Sequence, residues 1–190
     1  LITEKFLFTY RKYIPVPFII TAVVLANPRQ DLVVFGALLM IAGEILRLAA
    51  ASFIGPVMHS EDIITNELVT NGPYAYLRNP IYFGNILLYA GASILSGAWL
   101  PYLLYLIIIF FSIHFALCIR YEESHLSRAF GQSYEDYQRN VPRFFPRLSA
   151  FPNRGNKKAD VKTAFQGEVS VFLTSMIFLI LVMIKWFIVN

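Results

Sequence analysis

A single cysteine, Cys118, occurs in 190 residues, which excludes an intrachain disulfide and any multi-cysteine metal site. His59, His114 and His125 lack the spacing of a zinc site. No Gly-x-Gly-x-x-Gly element and no phosphate loop is present. The longest polar connection, Arg120–Glu168, shows no strand-like alternation, so a Rossmann nucleotide domain does not fit. Charged residues make up only 15% of the chain, against about 25% in soluble domains. Basic residues exceed acidic ones, 16 to 12. In so apolar a chain that excess predicts a surface facing anionic lipid rather than nucleic acid. The ends are expected to carry neither a cleavable signal peptide nor a prenylation box.

What the chain has in abundance is apolar length. Its hydrophobic fraction is 57% and its mean hydropathy +0.57, more than a soluble globule of this size can bury. The expected fold is all-α, a single domain over 1–190 with long runs facing lipid. A crossing needs about 20 apolar residues. Val169–Val189 meets this, with Lys185 near its end where the side chain can snorkel to water. Leu100–Ile119 and Leu32–Ala51 meet it as well. Tyr13–Ala26 and Ile81–Ser96 are shorter. Counting all five places nearly every loop lysine and arginine on the side of the N-terminus, with Arg29 the exception. That side is therefore predicted to be cytoplasmic. Both large connections, Ser52–Pro80 and Arg120–Glu168, fall there, and an active site is expected on that side.

Two stretches carry candidate chemistry. The first runs from Asn66 to Gly84. Asn71-Gly72-Pro73 predicts a turn, and Pro80 suits the first position of a helix capped by Asn79. Open N–H groups at such a helix start attract an anionic ligand group. The bland alternative is a capped membrane helix behind a turn. The second stretch holds Arg120, Glu122 and Glu123, then Phe130-Gly131, Tyr134, Tyr137 and Val141-Pro142-Arg143. Gly131 predicts a helix stop. Tyr134, Tyr137 and Val141 recur at helical spacing and are expected to pack on the membrane surface. Charge buried at a membrane boundary is a functional signal, although an acid pair can also be a solvated face. Glu44 and Arg47 share a helix face and are expected to form an ion pair toward the bundle.

The order and spacing of Gly72-Pro73-Tyr74, Arg78-Asn79-Pro80-Ile81-Tyr82-Phe83-Gly84 and Glu122-Glu123…Phe130-Gly131…Tyr134…Val141-Pro142 resemble the isoprenylcysteine carboxyl methyltransferase family. That family sits within a wider group of membrane methyltransferases that includes phospholipid methyltransferases. The resemblance covers about 56–146 and is to a short, prokaryotic-type member. It implies a methyltransferase that uses S-adenosyl-L-methionine, releases S-adenosylhomocysteine and has no Rossmann domain. The implied cofactor contacts are His59, Asn66, Glu67, Leu68, Val69, Tyr74, Asn79, Pro80, Ile81, Tyr82 and Glu122. Position 79 is usually His in the family, and Asn79 cannot become cationic. The implied acceptor is lipid-embedded, most of all the C-terminal carboxylate of a prenylated cysteine entering from the bilayer. Arg120 and Arg143 are the candidates to hold that carboxylate in a guanidinium fork. The family's substrate arginine falls in ungapped register on Cys118, two residues before Arg120. Glu122 is assigned to the cofactor's ammonium group rather than to a base.

Three other readings stay open on sequence alone. A phospholipid or other lipid methyltransferase would use the acid pair as proton acceptor for an amine. An NADPH-dependent sterol or lipid reductase would share the Arg-x-Pro-x-Tyr-x-Gly pattern and need a phosphate-binding cluster, for which Arg154, Lys157 and Lys158 are available. A membrane scaffold would bind no nucleotide at all.

Overall fold

The computed structural model describes residues 2–55 and 67–189. His59 and Asn66 lie outside them. Among the described residues the chain is all-helical, with no strand. The helices are α1 (Ile2–Thr9), α2 (Val16–Val24), α3 (Gln30–Ile54), α4 (Pro80–Ser96), α5 (Tyr102–Phe130), α6 (Gln132–Asn140) and α7 (Val161–Val189). A 3-10 turn, Gly72–Ala75, precedes α4.

Helices α3, α5 and α7 are long and apolar enough to cross a membrane. Helix α4 has 17 residues, about 25 Å at 1.5 Å per residue. The apolar run Tyr13–Ala26 yields only the nine residues of α2. Pro15 and Pro17 lie at its start, where a missing N–H costs least. Separate turns link α2 to α1, so this region is two helical pieces rather than one rod.

The punctuation follows local chemistry. Gly97 closes α4 in the left-handed region at φ +63°. Gly131 ends α5 at φ +49°, as its type predicts. Helix α7 starts eight residues before the apolar run that marks it. Its cap is Asp160: one carboxylate oxygen accepts the Thr163 N–H at 3.0 Å and the other accepts the Thr163 hydroxyl at 2.6 Å. Glu168, expected in a loop, therefore lies inside the helix.

Helices α3 and α4 meet backbone to backbone through two glycine pairs. A Cβ on Gly36 would lie 2.8 Å from the Gly91 carbonyl oxygen, and one on Gly43 would lie 2.6 Å from that of Gly84. Small residues at such crossings are how membrane helices gain close packing without a hydrophobic drive. Helix α7 packs on α3, α5 packs on α4, and α1 and α6 pack on α5. The main apolar core joins Met40, Tyr82, Leu88, Leu103, Phe111, Phe115 and Phe178. Lys185 does not simply snorkel to water. Its ammonium donates to the Val23 carbonyl at 3.4 Å and to that of Val24, closing the end of α2.

A second small core corrects the expectation for α6. Tyr134, Tyr137 and Val141 do not lie on the membrane surface; they are buried against Ala75 and Phe151. The reason is the return path of the chain. After α6, residues 141–151 run beside 74–79 and exchange hydrogen bonds with them. The Arg78 N–H donates to Pro142, Arg147 to Tyr76 and Phe151 to Ala75, at 2.9–3.0 Å. The Tyr137 hydroxyl donates to the Tyr74 carbonyl at 2.7 Å. Replacing Tyr137 with Phe removes that buried bond and orphans the carbonyl, so a loss of about 1–2 kcal/mol is expected. Unfolding in mixed detergent micelles measures it.

Candidate active site

The site lies where α3 ends, α4 begins and α5 leaves its apolar stretch. The 3-10 turn supplies Tyr74, buried with Val69 against Ala50. Burial pushes its phenol well above the usual range. The charges that act on it include those of Glu122, Arg47 and Glu168. Asn79 stands at the N-cap position of α4 but makes no cap bond. Its side-chain amide instead donates to the Arg143 carbonyl at 3.4 Å. This leaves the first turn of α4 without a side-chain cap. Pro80 and Tyr82 are buried and Ile81 partly so.

Tyr82 and Glu122 join the two helices: the tyrosine hydroxyl donates to Glu122 Oε1 at 2.9 Å. Glu123, the next residue, is turned to a different set of partners. It accepts Arg143 Nε at 3.3 Å and a second bond from Arg143 Nη2. Arg78 Nη2 lies 3.6 Å from Oε1, the oxygen that Arg143 Nε also reaches. The acid pair thus divides, one carboxylate facing the start of α4 and the other neutralised by arginine.

Of the remaining expected residues, Leu68 packs partly buried against the Tyr134 core. Glu67 is exposed and 3.4 Å from Lys157 Nζ. Arg120, expected beside the acids, is exposed and makes no ion pair or hydrogen bond among the described residues. Two positions along a helix lie on opposed faces, so Glu122 and Arg120 diverge. Cys118, in register with the family's arginine, is fully buried in the apolar core. Arg143 does reach one of the two acids, Glu123.

Sequence reasoning missed several partners. Arg11, after α1, stacks 3.8 Å over the Phe8 ring, which itself packs on Tyr121. Its charge reaches Glu122 from an element that had served only to count cations. The pair expected between Glu44 and Arg47 is replaced by other contacts. Arg47 Nε donates to Glu168 Oε2 at 3.1 Å, and Arg47 Nη1 bonds Asn85. Glu44 accepts from Ser175 at 2.6 Å. Helix α7 brings two of these three partners, Glu168 and Ser175, and α4 brings Asn85; the early start of α7 carries Glu168 down the face that meets α3.

Glu122 offers a carboxylate that can take a cationic group, the uncapped N–H groups at the start of α4 can take an anionic one, and the buried Tyr74 ring is an apolar surface. No cluster of three metal-ligating side chains occurs among the described residues.

A family model described as phospholipid methyltransferase matches residues 32–133, which include Tyr74, Asn79, Tyr82 and both glutamates. The chain is 37% identical over 87 residues to the nickel-cobalt-cadmium resistance protein NccN of Alcaligenes xylosoxydans xylosoxydans, covering 46% of this chain and 39% of that protein. It is 33% identical over 118 residues to the protein-S-isoprenylcysteine O-methyltransferase of Dictyostelium discoideum, covering 56% and 46%. The cobalt-zinc-cadmium resistance protein CzcN of Cupriavidus metallidurans is 27% identical over 156 residues, covering 82% and 70%. This chain spans less than half the length of the first two relatives. No solved structure matches. With the family's match extending over more than half of the residues and the tyrosine–glutamate junction inside it, the chain belongs to the phospholipid methyltransferase family.

Proposed function

We propose that this protein transfers the methyl group of S-adenosylmethionine to a lipid-embedded acceptor, the C-terminal carboxylate of a prenylated cysteine. The transfer takes place at the cytoplasmic boundary of a bundle that crosses the membrane five times. The observation that carries this reading is the Tyr82–Glu122 bond at 2.9 Å, which holds one carboxylate beside the uncapped start of α4. Similarity to protein-S-isoprenylcysteine O-methyltransferases supports the acceptor class.

The cofactor's methyl sulfonium supplies an already electrophilic carbon. Glu122, fixed through Oε1, offers its second oxygen to an ammonium group. Leu68, Val69 and Tyr74 wall the adenosine side, and Asn79 to Tyr82 face the anionic end. A C-terminal carboxylate, with an ordinary pKa of about 3.3–3.7, is ionised at neutral pH and needs no base. The residues' work is then alignment and the exclusion of water. A prenyl tail in the bilayer contributes about 0.8 kcal/mol per buried CH₂. The acceptor thus reaches the boundary without bringing its tail through water. Arg143 holds the acid side in order through Glu123. Arg120, exposed, faces the lipid headgroup region under the five-span arrangement.

Titration of the detergent-solubilised protein tests this. Saturable binding of S-adenosylhomocysteine is expected, with none of NADPH, and Glu122→Ala should weaken it at least tenfold. NADPH binding in its place points to a reductase. Unchanged affinity in the variant refutes the role of Glu122. Labelled methyl transfer to N-acetyl-S-farnesylcysteine, compared with phosphatidylethanolamine vesicles, separates a carboxylate from an amine acceptor.

A further inference from the structure

Beside the proposed methyl-transfer site two arginines share one carboxylate. Glu123 is buried, its side chain 8% exposed. Both of its oxygens accept from Arg143. Arg78 is mostly covered, with 10% of its side chain exposed, yet its nearest approach to Glu123 is 3.6 Å, beyond hydrogen-bond range. Its Nε and Nη1 are fully buried and have no acceptor among the described residues. The cluster holds two positive charges against one negative.

Such an arrangement is costly unless something completes it. An unpaired buried guanidinium loses the hydration of several N–H groups, and buried polar groups left without partners call for a specific explanation. The main chain around Arg78 is held in place: its own N–H is bonded to Pro142, and the following Asn79 is tied to Arg143. Tyr134 of α6 is fully buried, and the charges acting on its phenol are those of Arg78, Arg143 and both glutamates. Two residues further on, α4 begins with its first turn uncapped, and a helix start adds positive potential to the same place.

We infer that Arg78 is a carboxylate subsite: its free Nε and Nη1 donors, with the surplus positive charge of the Arg78–Glu123–Arg143 cluster, take one planar monoanion. This rests on the methyltransferase reading, which offers two sources for that carboxylate, the amino-acid end of the cofactor and the C-terminus of the acceptor. Arginine suits it because a fork matches a carboxylate edge.

Paired ligands test the inference by binding rather than turnover. The first pair is S-adenosylhomocysteine and its decarboxylated analogue. The second is N-acetyl-S-farnesylcysteine and its carboxamide. In the native protein one pair should differ by about tenfold or more in Kd, the scale of a charge-assisted hydrogen bond. In Arg78→Met that ratio should collapse toward one, and the pair that collapses identifies the source. Arg78→Lys, which keeps the charge and loses the fork, should retain part of the ratio; it serves if the methionine variant does not fold. Ratios that survive both substitutions overturn the subsite while leaving the methyltransferase reading in place. Failure of the native protein to bind any of the four ligands overturns both.

Discussion

Arg47→Ala should cost about 3–5 kcal/mol of folding stability, the range for breaking a buried ion pair from one side. Arg47 is 6% exposed and Glu168 is fully buried. The guanidinium links three helices, holding Glu168 of α7 and Asn85 of α4 from its place on α3. Glu168 Oε1 already lacks a donor, so removing Arg47 leaves the whole carboxylate buried without a counter-charge. Denaturation in mixed micelles measures the loss. The double variant Arg47→Ala with Glu168→Gln should recover part of it, because the orphaned charge is gone. A single-variant loss below about 1 kcal/mol would mean that water or a neighbour replaces the guanidinium, and the bridge would then be incidental.

Gly43→Val has a comparable expected effect for a different reason. The new Cβ would meet the Gly84 carbonyl oxygen at 2.6 Å and the Leu88 nitrogen at 2.8 Å. Both are backbone atoms of α4, so no side chain can step aside. Overpacking usually costs about 1–3 kcal/mol, and a clash with backbone belongs at the top of that range. The displacement also reaches the site, since Gly84 sits against Arg47 Cγ and lies two residues after Tyr82. Affinity for S-adenosylhomocysteine should therefore fall along with stability. Gly155→Ala is the control: the nearest atom to its added Cβ is 3.5 Å away, and a change within about 0.5 kcal/mol is expected. A stable, fully binding Gly43→Val protein would show that α3 and α4 part easily.

Much of the fold was legible because hydropathy reports directly on length and exposure. Helices α3 and α4 start and end within a few residues of the apolar runs that mark them; α5 starts with its run but continues well past Ile119 to Phe130, and Gly97 and Gly131 close α4 and α5 where turn chemistry places them. The start of α7 was not visible to hydropathy, since Lys162, Gln166 and Glu168 dilute its first turns. The Asp160-x-x-Thr163 cap was the signal available there. The Arg47 partnership failed on distance: Glu44 is three positions away, whereas Glu168 is 121. Local pairing rules cannot see across such a gap. The glycine pairs are written as Gly36-x6-Gly43 and Gly84-x6-Gly91, a heptad spacing that places each pair on one helix face. Tyr134 and Tyr137 show the opposite failure: their helical period was correct, but period alone does not say whether lipid or protein covers a face.

The ladder between 74–79 and 141–151 has a mechanical consequence. Its rungs join residues 75, 76 and 78 to 151, 147 and 142 in antiparallel order, with the Tyr137 hydroxyl on the Tyr74 carbonyl beside them. Parting the two segments means losing all of these bonds, so a stretch pinned at several points resists the local opening that a single contact would allow.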